Sequence, residues 1–523
     1  MTHRNEAKTG AKAAQGSPAA VGSKAGPAVA GTNPKNGTNP ENGPGAANAA
    51  LKPLSKLSIL GYGAGDAANN LAFTTATMFL LLYYTDVAGI SAAAAGTLLL
   101  VVRVFDAFSD VFAGRMVDRT YSKRFGKFRP FIMFGSLPLL LLSVASFSIP
   151  QIGQSGMLIW AYVSYTLLGL AYSMVNIPYG SLAGAMTQVA GERAKLASAR
   201  TIGAVAVGSF LGIFIAPLMV HGVNLQPLFT TLTVIFAVVG TGLYLFTGFT
   251  AKERVVRDVP KVTVRQSLAT LKGNKPLLLL CVSSFLFLTG MLAVSTVQIY
   301  YFRDVLHSLP LYAVLSIVNI VLTFGMGAFL PRVVRRFGKK QTYIYAALIV
   351  VVGGLIVFLS PATMVPLAFA GLVITQFGIL LVNMLVWALE ADTVEYGEWK
   401  THVRTEGITY ALFSFTRKTG QAVGGALAAY ALAWGGYAAG SAHQSTQAVW
   451  GIRAGAGLLP VVFSVLALLV MLAYPLTDAR HKEIVAEIAA RRQAVAVRSD
   501  DDGAAPAASG TAAPLPPSTP LES

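Results

Sequence analysis

Several long stretches of this sequence contain no charged residue. They lie at residues 131–150, 227–250, 341–360 and 454–476. The hydrocarbon core of a bilayer is about 30 Å thick, and a helix needs about 20 mostly apolar residues to cross it. Lipid offers the backbone no hydrogen bonds, so a spanning segment must be an α-helix or part of a closed β-barrel. The alternating segments of a barrel are absent from the sequence. The sequence therefore predicts an all-α membrane protein.

Composition agrees with a lipid environment. The chain has 523 residues, of which 54% are hydrophobic and 12% are charged, whereas soluble proteins carry about 25% charged residues. The single cysteine, Cys281, excludes a disulfide within the chain. We predict twelve spans, near residues 57–86, 91–117, 130–150, 155–183, 196–220, 226–250, 276–302, 309–331, 341–360, 363–392, 406–436 and 447–476.

The loop charges predict the orientation of these spans. Lys and Arg cluster in alternate loops, for example residues 118–129, 251–275 and 332–340, whereas Arg303 is nearly alone on the other side. Cytoplasmic loops carry such an excess, so we expect both termini in the cytoplasm. The same excess explains the net charge of +17 without a nucleic-acid partner. No apolar segment follows the early charges, so a secretory signal peptide is not expected.

The chain also repeats itself. The segment Arg124-Phe-Gly-Lys127 recurs as Arg336-Phe-Gly-Lys339, 212 residues later, each after the second predicted span of a six-span half. Two such halves are typical of major facilitator superfamily transporters. We therefore predict two pseudo-symmetric six-helix bundles. The predicted parts are a disordered tail (1–55), the first half (56–250), a cytoplasmic loop (251–275), the second half (276–480) and a cytoplasmic tail (481–523) that is disordered from about 497.

Two aspartates in the second span are the sharpest functional candidates. Asp106 and Asp110 are four residues apart and share one helix face. Two carboxylates this close in a low dielectric repel each other, so one holds a proton or both share a cation. We predict that they bind the coupling ion, Na⁺ or H⁺, and that they are the metal ligands if the ion is sodium. The structural alternative is an internal ion pair between Arg103 and Asp106.

Other polar groups within spans are candidates for substrate binding, because ionisable residues in a membrane are costly. A buried lysine in the eleventh span needs a carboxylate partner, supplied by the second-span aspartates or by the substrate. The predicted substrate-binding residues are Tyr62, Asp66, Asn70, Arg103, Asn176, Tyr179, Arg200 and Lys418.

Charged residues near the cytoplasmic ends of the spans suit a gate made of ion pairs. The acids that end the tenth span lie close to basic loops. The histidines near span ends are expected to be solvated. Neither a His/Cys metal spacing nor a P-loop nor a hydrolase triad stands out, so we predict no enzyme activity and no cofactor. The predicted gating residues are Asp118, Arg119, Arg124, Lys127, Arg336, Lys339, Asp392, Glu395 and Glu398.

Several segments together resemble the glycoside–pentoside–hexuronide:cation symporter family. They are Leu81-Leu-Tyr-Tyr-Thr-Asp86, Arg103-Val-Phe-Asp-Ala-Phe-Ser-Asp110, Arg124-Phe-Gly-Lys-Phe-Arg-Pro130, Asn176-Ile-Pro-Tyr-Gly-Ser-Leu182 and Asp392-Thr-Val-Glu-Tyr-Gly-Glu398. The resemblance runs from about residue 57 to about residue 480. It implies a major facilitator fold and sodium- or proton-coupled uptake of a glycoside, pentoside or uronide.

The resemblance also implies roles for individual residues. Asp106 and Asp110 match the cation-site carboxylates of the family. Asn70 and Asn176 stand where the melibiose carrier has acids, and Gly180 replaces a tryptophan beside its sugar. The galactoside-specific acids are thus absent while the coupling pair is present, and proton coupling becomes at least as plausible as sodium coupling.

The predicted function is therefore cation-coupled symport of a sugar or glycoside into the cell by alternating access. The protein is expected to work as a monomer, surrounded by lipid, in a bacterial-type inner membrane. An exporter or facilitator of a drug-like or lipid-like solute is the alternative on the same fold, since fold alone does not fix function. A non-transporting sensor is a third possibility, which the lack of a predicted signalling domain disfavours.

Overall fold

The computed structural model describes residues 53–122, 124–187, 189–254, 273–402 and 406–503, and these are helical with no strand of a sheet among them. The first six long helices are α1 (Lys56–Leu82), α2 (Ala92–Arg119), α3 (Arg129–Ser146), α4 (Gln154–Met186), α5 (Ala190–Phe210) and α6 (Leu225–Thr250). The next six are α7 (Lys275–Tyr300), α8 (Pro310–Phe337), α9 (Lys339–Leu359), α10 (Val365–Thr401), α11 (Glu406–Trp434) and α12 (Thr446–Leu472). A further helix, α13, covers Asp478–Gly503.

Ten of these helices are long and apolar enough to cross a membrane, counted over the described residues. The two not included, α1 and α11, coincide with predicted spans and hold several of the polar candidate residues. The protein is therefore a multi-pass membrane protein. The count of twelve spans and the cytoplasmic location of both ends stay predictions.

Short π-helical turns continue or interrupt four helices. They follow α1 (Tyr83–Val87), α5 (Leu211–Ile215) and α7 (Tyr301–Val305), and one divides α12 (Ala454–Leu458). The turns after α1 and α7 occupy equivalent places in the two halves. Such turns widen a helix locally and occur frequently at functional sites.

Small residues let equivalent helix pairs pack closely in the two halves. In the first half, a methyl group on Gly203 of α5 would lie 2.5 Å from the backbone oxygen of Gly63 on α1. In the second half, a methyl group on Gly420 of α11 would lie 2.6 Å from the backbone oxygen of Phe285 on α7. Side chains larger than hydrogen are therefore excluded at these contacts, as is common where membrane helices approach closely. The α1–α5 and α7–α11 pairs are packed in the same way.

The repeated Arg-Phe-Gly-Lys segments share a glycine of positive φ and an acid that caps the helix after it. Gly126 and Gly338 both have a positive φ, 84° and 81°, which favours glycine. In the first half, the Glu253 carboxylate accepts from the backbone N–H groups of Lys127 (3.0 Å) and Phe128 (2.8 Å). In the second half, Asp478 Oδ2 accepts from the backbone N–H of Lys339 at 2.7 Å.

Each acid lies just after the sixth helix of its half and caps the start of the third, where unpaired N–H groups attract a negative charge. The loop repeat seen in the sequence is thus a structural repeat as well. The capping acids themselves carry no recognisable motif, and sequence analysis missed them.

Some element boundaries differ from those predicted. Helix α10 continues to Thr401 rather than ending near 392, so Glu395 and Glu398 lie within it. Helix α4 passes through Pro178 without a break. Helix α13 continues to Gly503, past the point near 497 where we predicted disorder. The rest of the predicted tails, most of the predicted middle loop and the Asp118 side chain lie outside the described residues.

Candidate binding and coupling site

A polar cluster between α1, α4 and α5 forms the first part of the site. Arg200 Nε donates to Asp66 Oδ1 at 2.9 Å, and Asn70 Nδ2 donates to Asp66 Oδ2 at 3.0 Å. Asn70 lies one turn beyond Asp66 on α1, so the carboxylate is held by its own helix and by α5. The Asp66 side chain is 8% exposed, whereas that of Arg200 is 41% exposed. The guanidinium therefore retains N–H groups that can reach a ligand.

Two buried tyrosines pack beside this ion pair. The rings of Tyr62 and Tyr179 stack with centroids 4.8 Å apart, and the Tyr179 hydroxyl donates to the Tyr62 backbone oxygen at 2.6 Å. The Arg200 guanidinium lies 5.2 Å from the centroid of the Tyr179 ring, within the range of a cation–π contact. Five residues predicted from sequence to bind substrate are thus in one contact network: Tyr62, Asp66, Asn70, Tyr179 and Arg200.

Asp106 of α2 lies against a second cation. Its Oδ2 is 3.5 Å from Arg103 Nη1, an ion pair within the same helix. Its Oδ1 is buried and has no hydrogen-bond partner among the described residues. A small cavity of about 30 Å³ adjoins this carboxylate, lined by Phe73, Arg103, Asp106, Tyr165, Gly169 and Tyr172 among others. A carboxylate with a bare buried oxygen is poorly solvated as an anion.

Asp110 has entirely different partners. Its Oδ2 accepts a short hydrogen bond from Lys418 Nζ of α11, and its Oδ1 accepts from the Ser173 hydroxyl of α4 at 2.7 Å. Lys418 therefore connects the second half of the bundle to the first. The side chains of Lys418 and Asp110 are 37% and 24% exposed, so this pair is only partly buried.

The two aspartates that share a face of α2 have different ion-pair partners. Asp106 pairs with Arg103, and Asp110 pairs with Lys418, so each has a basic partner of its own. The described residues include no group of three or more His, Cys, Asp or Glu side chains that could hold a metal ion. Asn176 is half-buried on α4, between Ser173 and Tyr179 along the helix. The binding of one coupling ion by both carboxylates stays a prediction.

At the end of the bundle that holds the repeated loops, the predicted gating acids meet basic groups. Lys339 Nζ lies 2.6 Å from both carboxylate oxygens of Asp392. His481 Nε2 of α13 is 2.5 Å from Glu395 Oε2 and 3.5 Å from Asp392 Oδ1. These contacts fix α10 to α9 and α13 within the second half.

Three basic residues of the repeated segments lie over aromatic rings. Arg124 and Arg336 each lie over the neighbouring ring, Phe125 and Phe337, with guanidinium-to-centroid distances of 5.3 and 5.4 Å. Lys127 lies over the Phe128 ring at 5.7 Å. Arg119 is exposed at the end of α2.

At the opposite end, a buried network joins the two halves. Arg303 Nη2 lies 2.9 Å from Asp86 Oδ1 and 2.5 Å from the Tyr437 hydroxyl, and Arg303 Nε lies 3.1 Å from Asp304 Oδ1. His221 Nε2 is 2.6 Å from Asp304 Oδ1. The prediction that His221 is solvated is therefore wrong.

Sequence analysis missed this network, which closes one end of the bundle. Asp86 was noted within a family motif and Arg303 as a lone loop charge. Asp86 and Arg303 are 217 residues apart, and nothing in the sequence near either residue indicates that they form an ion pair.

Long apolar helices around a polar, charge-bearing interior define a membrane transporter. The chain belongs to the family described as MFS/sugar transport protein, which it matches over residues 61–478. This assignment agrees with the prediction that the protein is not an enzyme.

Individual relatives of the chain are also transporters or carriers. The chain is 45% identical to the glucuronide carrier protein homolog of Escherichia coli (strain K12), over 84% of this chain and 97% of the relative. It is 33% identical to the isoprimeverose transporter of Lactiplantibacillus pentosus, over 79% of this chain and 87% of the relative. The crystal structure of the nucleoside transporter NupG has a TM-score of 0.56 at 10% identity, covering 80% of this chain and 98% of that one. This likeness supports the fold.

Proposed function

We propose that a monomer of this protein, in a bacterial inner membrane, imports a sugar or glycoside by proton-coupled symport. The family and two relatives with sugar-derived names support a sugar substrate. The side chain of Arg200 is 41% exposed and its guanidinium is held by the buried Asp66, so it supplies hydrogen-bond donors for sugar hydroxyls. Sites for small ligands orient them with a few such fixed polar groups.

The observation that carries the coupling proposal is the unpaired Oδ1 of Asp106. A proton bound there neutralises the carboxylate and removes the cost of a poorly solvated buried anion. A sodium ion would instead lie beside the Arg103 guanidinium, which is 3.5 Å from the other oxygen of the same carboxylate. Like charges repel strongly at such distances in a low dielectric. Hard cations also prefer several oxygen ligands.

Coupling then follows from charge balance. When Asp106 takes up a proton, Arg103 loses its counter-charge, and its guanidinium becomes available to an oxygen of the substrate. The adjoining cavity of about 30 Å³ has room for one small polar group and not for a whole sugar. The proton thereby favours the substrate-binding state, and substrate favours proton uptake by the same free energy. The Asp110–Lys418 pair is already neutral and serves as a contact between the halves rather than as the ion site.

Transport in proteoliposomes tests this function. Wild-type protein is expected to accumulate a radiolabelled glycoside against its gradient when an inward proton gradient is applied. The Asp106→Asn variant is expected to lose this accumulation and to retain downhill exchange of sugar. Accumulation driven by a sodium gradient alone would overturn proton coupling. Normal accumulation by Asp106→Asn would overturn the role of Asp106, and outward-only movement would favour the exporter alternative.

A further inference from the structure

A basic pocket lies where α8, α9 and α13 meet, at the end of the bundle that holds the repeated segments. It has a volume of about 540 Å³, and its charged lining consists of four basic side chains and one acid: Arg335, Arg336, Lys340, Lys482 and Asp478. Its lining residues are different from those of the cavity beside Asp106. The pocket therefore stands apart from the proposed proton site.

The acid of this pocket does not neutralise its basic side chains. Asp478 Oδ2 accepts from the backbone N–H of Lys339 at 2.7 Å, so this carboxylate is occupied as a helix cap. Lys340 Nζ donates to two backbone oxygens at the end of α12, at 2.7 and 2.9 Å, and keeps its full charge there. Arg335 and Lys482 are exposed, and neither forms an ion pair with an acid of the described residues. The pocket consequently has surplus positive charge to offer an anion.

An exposed apolar stripe runs along α9 from this pocket. Gln341 lines the pocket and is exposed. Apolar side chains that are between 38% and 67% exposed follow it at every third or fourth position: Tyr345, Leu348, Val352, Leu355 and Leu359. This spacing places them on one face of the helix, whereas Ala346 and Val350 on the opposite side are buried. In a membrane protein such a face contacts acyl chains, so the pocket opens beside lipid.

Two aromatic rings lie between the pocket and the stripe. Phe337 lines the pocket, and its ring meets that of Tyr345 edge-on with centroids 5.6 Å apart. The two side chains are 45% and 46% exposed. Aromatic residues that are apolar at one end and polar at the other collect at the level of the lipid headgroups. The rings thus indicate that the basic side chains lie at headgroup depth.

We propose that this pocket binds the headgroup of an anionic phospholipid, with an acyl chain along the exposed stripe of α9. Arginine binds phosphate oxygens with two parallel N–H groups, and basic pockets between membrane helices on the cytoplasmic side suit anionic headgroups. Loop charge predicts that this end is the cytoplasmic one. The lipid would connect Lys482 of α13 with Arg335 of α8. Lipid binding here does not depend on the proposed transport of sugar.

Native mass spectrometry of purified full-length protein tests the site. The probes are phosphatidylglycerol, with one negative charge, and phosphatidylcholine with the same acyl chains and no net charge. Wild-type protein is expected to bind the first phosphatidylglycerol about tenfold more tightly, since each basic residue contributes about a fivefold gain at a lipid surface. The double variant Arg335→Gln, Lys482→Gln is expected to reduce this preference to about twofold. Its affinity for phosphatidylcholine is expected to stay unchanged, because the apolar stripe is intact.

The matched control is the double variant Lys252→Gln, Arg480→Gln. It removes two exposed cations that do not line the pocket, so its net charge equals that of the test variant. It is expected to keep the wild-type preference. Equal affinity of wild-type protein for the two lipids would overturn the proposal, and so would an equal loss of preference in both double variants. Displacement of phosphatidylglycerol by millimolar inorganic phosphate would assign the pocket to a free anion and overturn a lipid as its ligand.

Discussion

Lys418 of α11 donates a short hydrogen bond to Asp110 of α2, and this contact links the two halves of the bundle near its interior. Alternating access moves the halves against each other about a central site. If this protein works in that way, as we propose, a bond that crosses between the halves is expected to rearrange during the cycle. The Ser173 hydroxyl on Asp110 gives the carboxylate a partner within the first half when the lysine withdraws.

The first prediction concerns this pair. Lys418→Gln leaves Asp110 without a cation, and we expect it to destabilise the protein by about 1–3 kcal/mol, between the values for exposed and buried pairs. The double variant Asp110→Asn, Lys418→Gln removes both charges and is expected to recover most of that stability without recovering transport. Thermal unfolding in detergent and sugar exchange measure the two effects. A double variant less stable than both singles would contradict the expectation.

The second prediction uses a glycine beside Asp106, the proposed proton site. A methyl group at Gly169 of α4 would overlap Asp106 Oδ1, so Gly169→Ala must displace this carboxylate. We expect loss of gradient-driven accumulation with downhill exchange retained. Gly208→Ala is the matched control, because a methyl group there meets no atom within 4 Å. Accumulation at the wild-type level in Gly169→Ala would show that the carboxylate position is unimportant.

The third prediction concerns the caps of the repeated loops. Glu253 accepts from three backbone N–H groups, those of Lys127, Phe128 and Arg129. Hydrogen bonds to charged groups contribute about 1.5–3 kcal/mol each, so we expect Glu253→Ala to lower stability by roughly 2–4 kcal/mol, allowing for partial replacement by water. Asp478→Ala, which loses one such bond, is expected to cost about half as much. Detergent unfolding curves would reveal the ranking, and the reverse order would refute the capping role.

The fourth prediction concerns the closed end of the bundle. Arg303 and Asp86 are 3% and 4% exposed, so Arg303→Gln leaves Asp86 and Asp304 as buried acids without this cation. Removing one partner of a buried pair is strongly destabilising, and we expect this end to open. In a Cys281→Ser background, a Val87→Cys side chain is expected to react with a maleimide at least fivefold faster when Arg303→Gln is added.

Arg453→Gln is the control for this experiment. Arg453 donates to the Ser360 backbone oxygen rather than to the acids of the network. When Arg453→Gln is added to the Cys281→Ser, Val87→Cys protein, the rate at which the cysteine at position 87 reacts with the maleimide is expected to stay unchanged. Equal rates for all three proteins would mean that the Asp86–Arg303 contact does not hold this end closed.

The sequence by itself determined the helices, the membrane environment and the set of charged residues inside the bundle. Hydropathy and loop charge are properties of short segments, so they can be read without knowing which helices touch. The repeat of Arg124–Lys127 at Arg336–Lys339 likewise predicted equivalent loops, which have matching glycine geometry in the structure. The chemical nature of the site residues at Asp66, Asp106 and Arg200 followed from their cost in lipid.

The tertiary structure decided which distant groups meet. The Arg103–Asp106 pair lies within one helix and could be foreseen from its spacing, whereas only the packing of α11 against α2 selects Asp110 as the hydrogen-bond partner of Lys418. Helix packing also brings Asp86 to Arg303 and Glu253 to the loop at Gly126. Pairings between distant segments depend on how helices pack in three dimensions, and that information is not contained in any local pattern of residues.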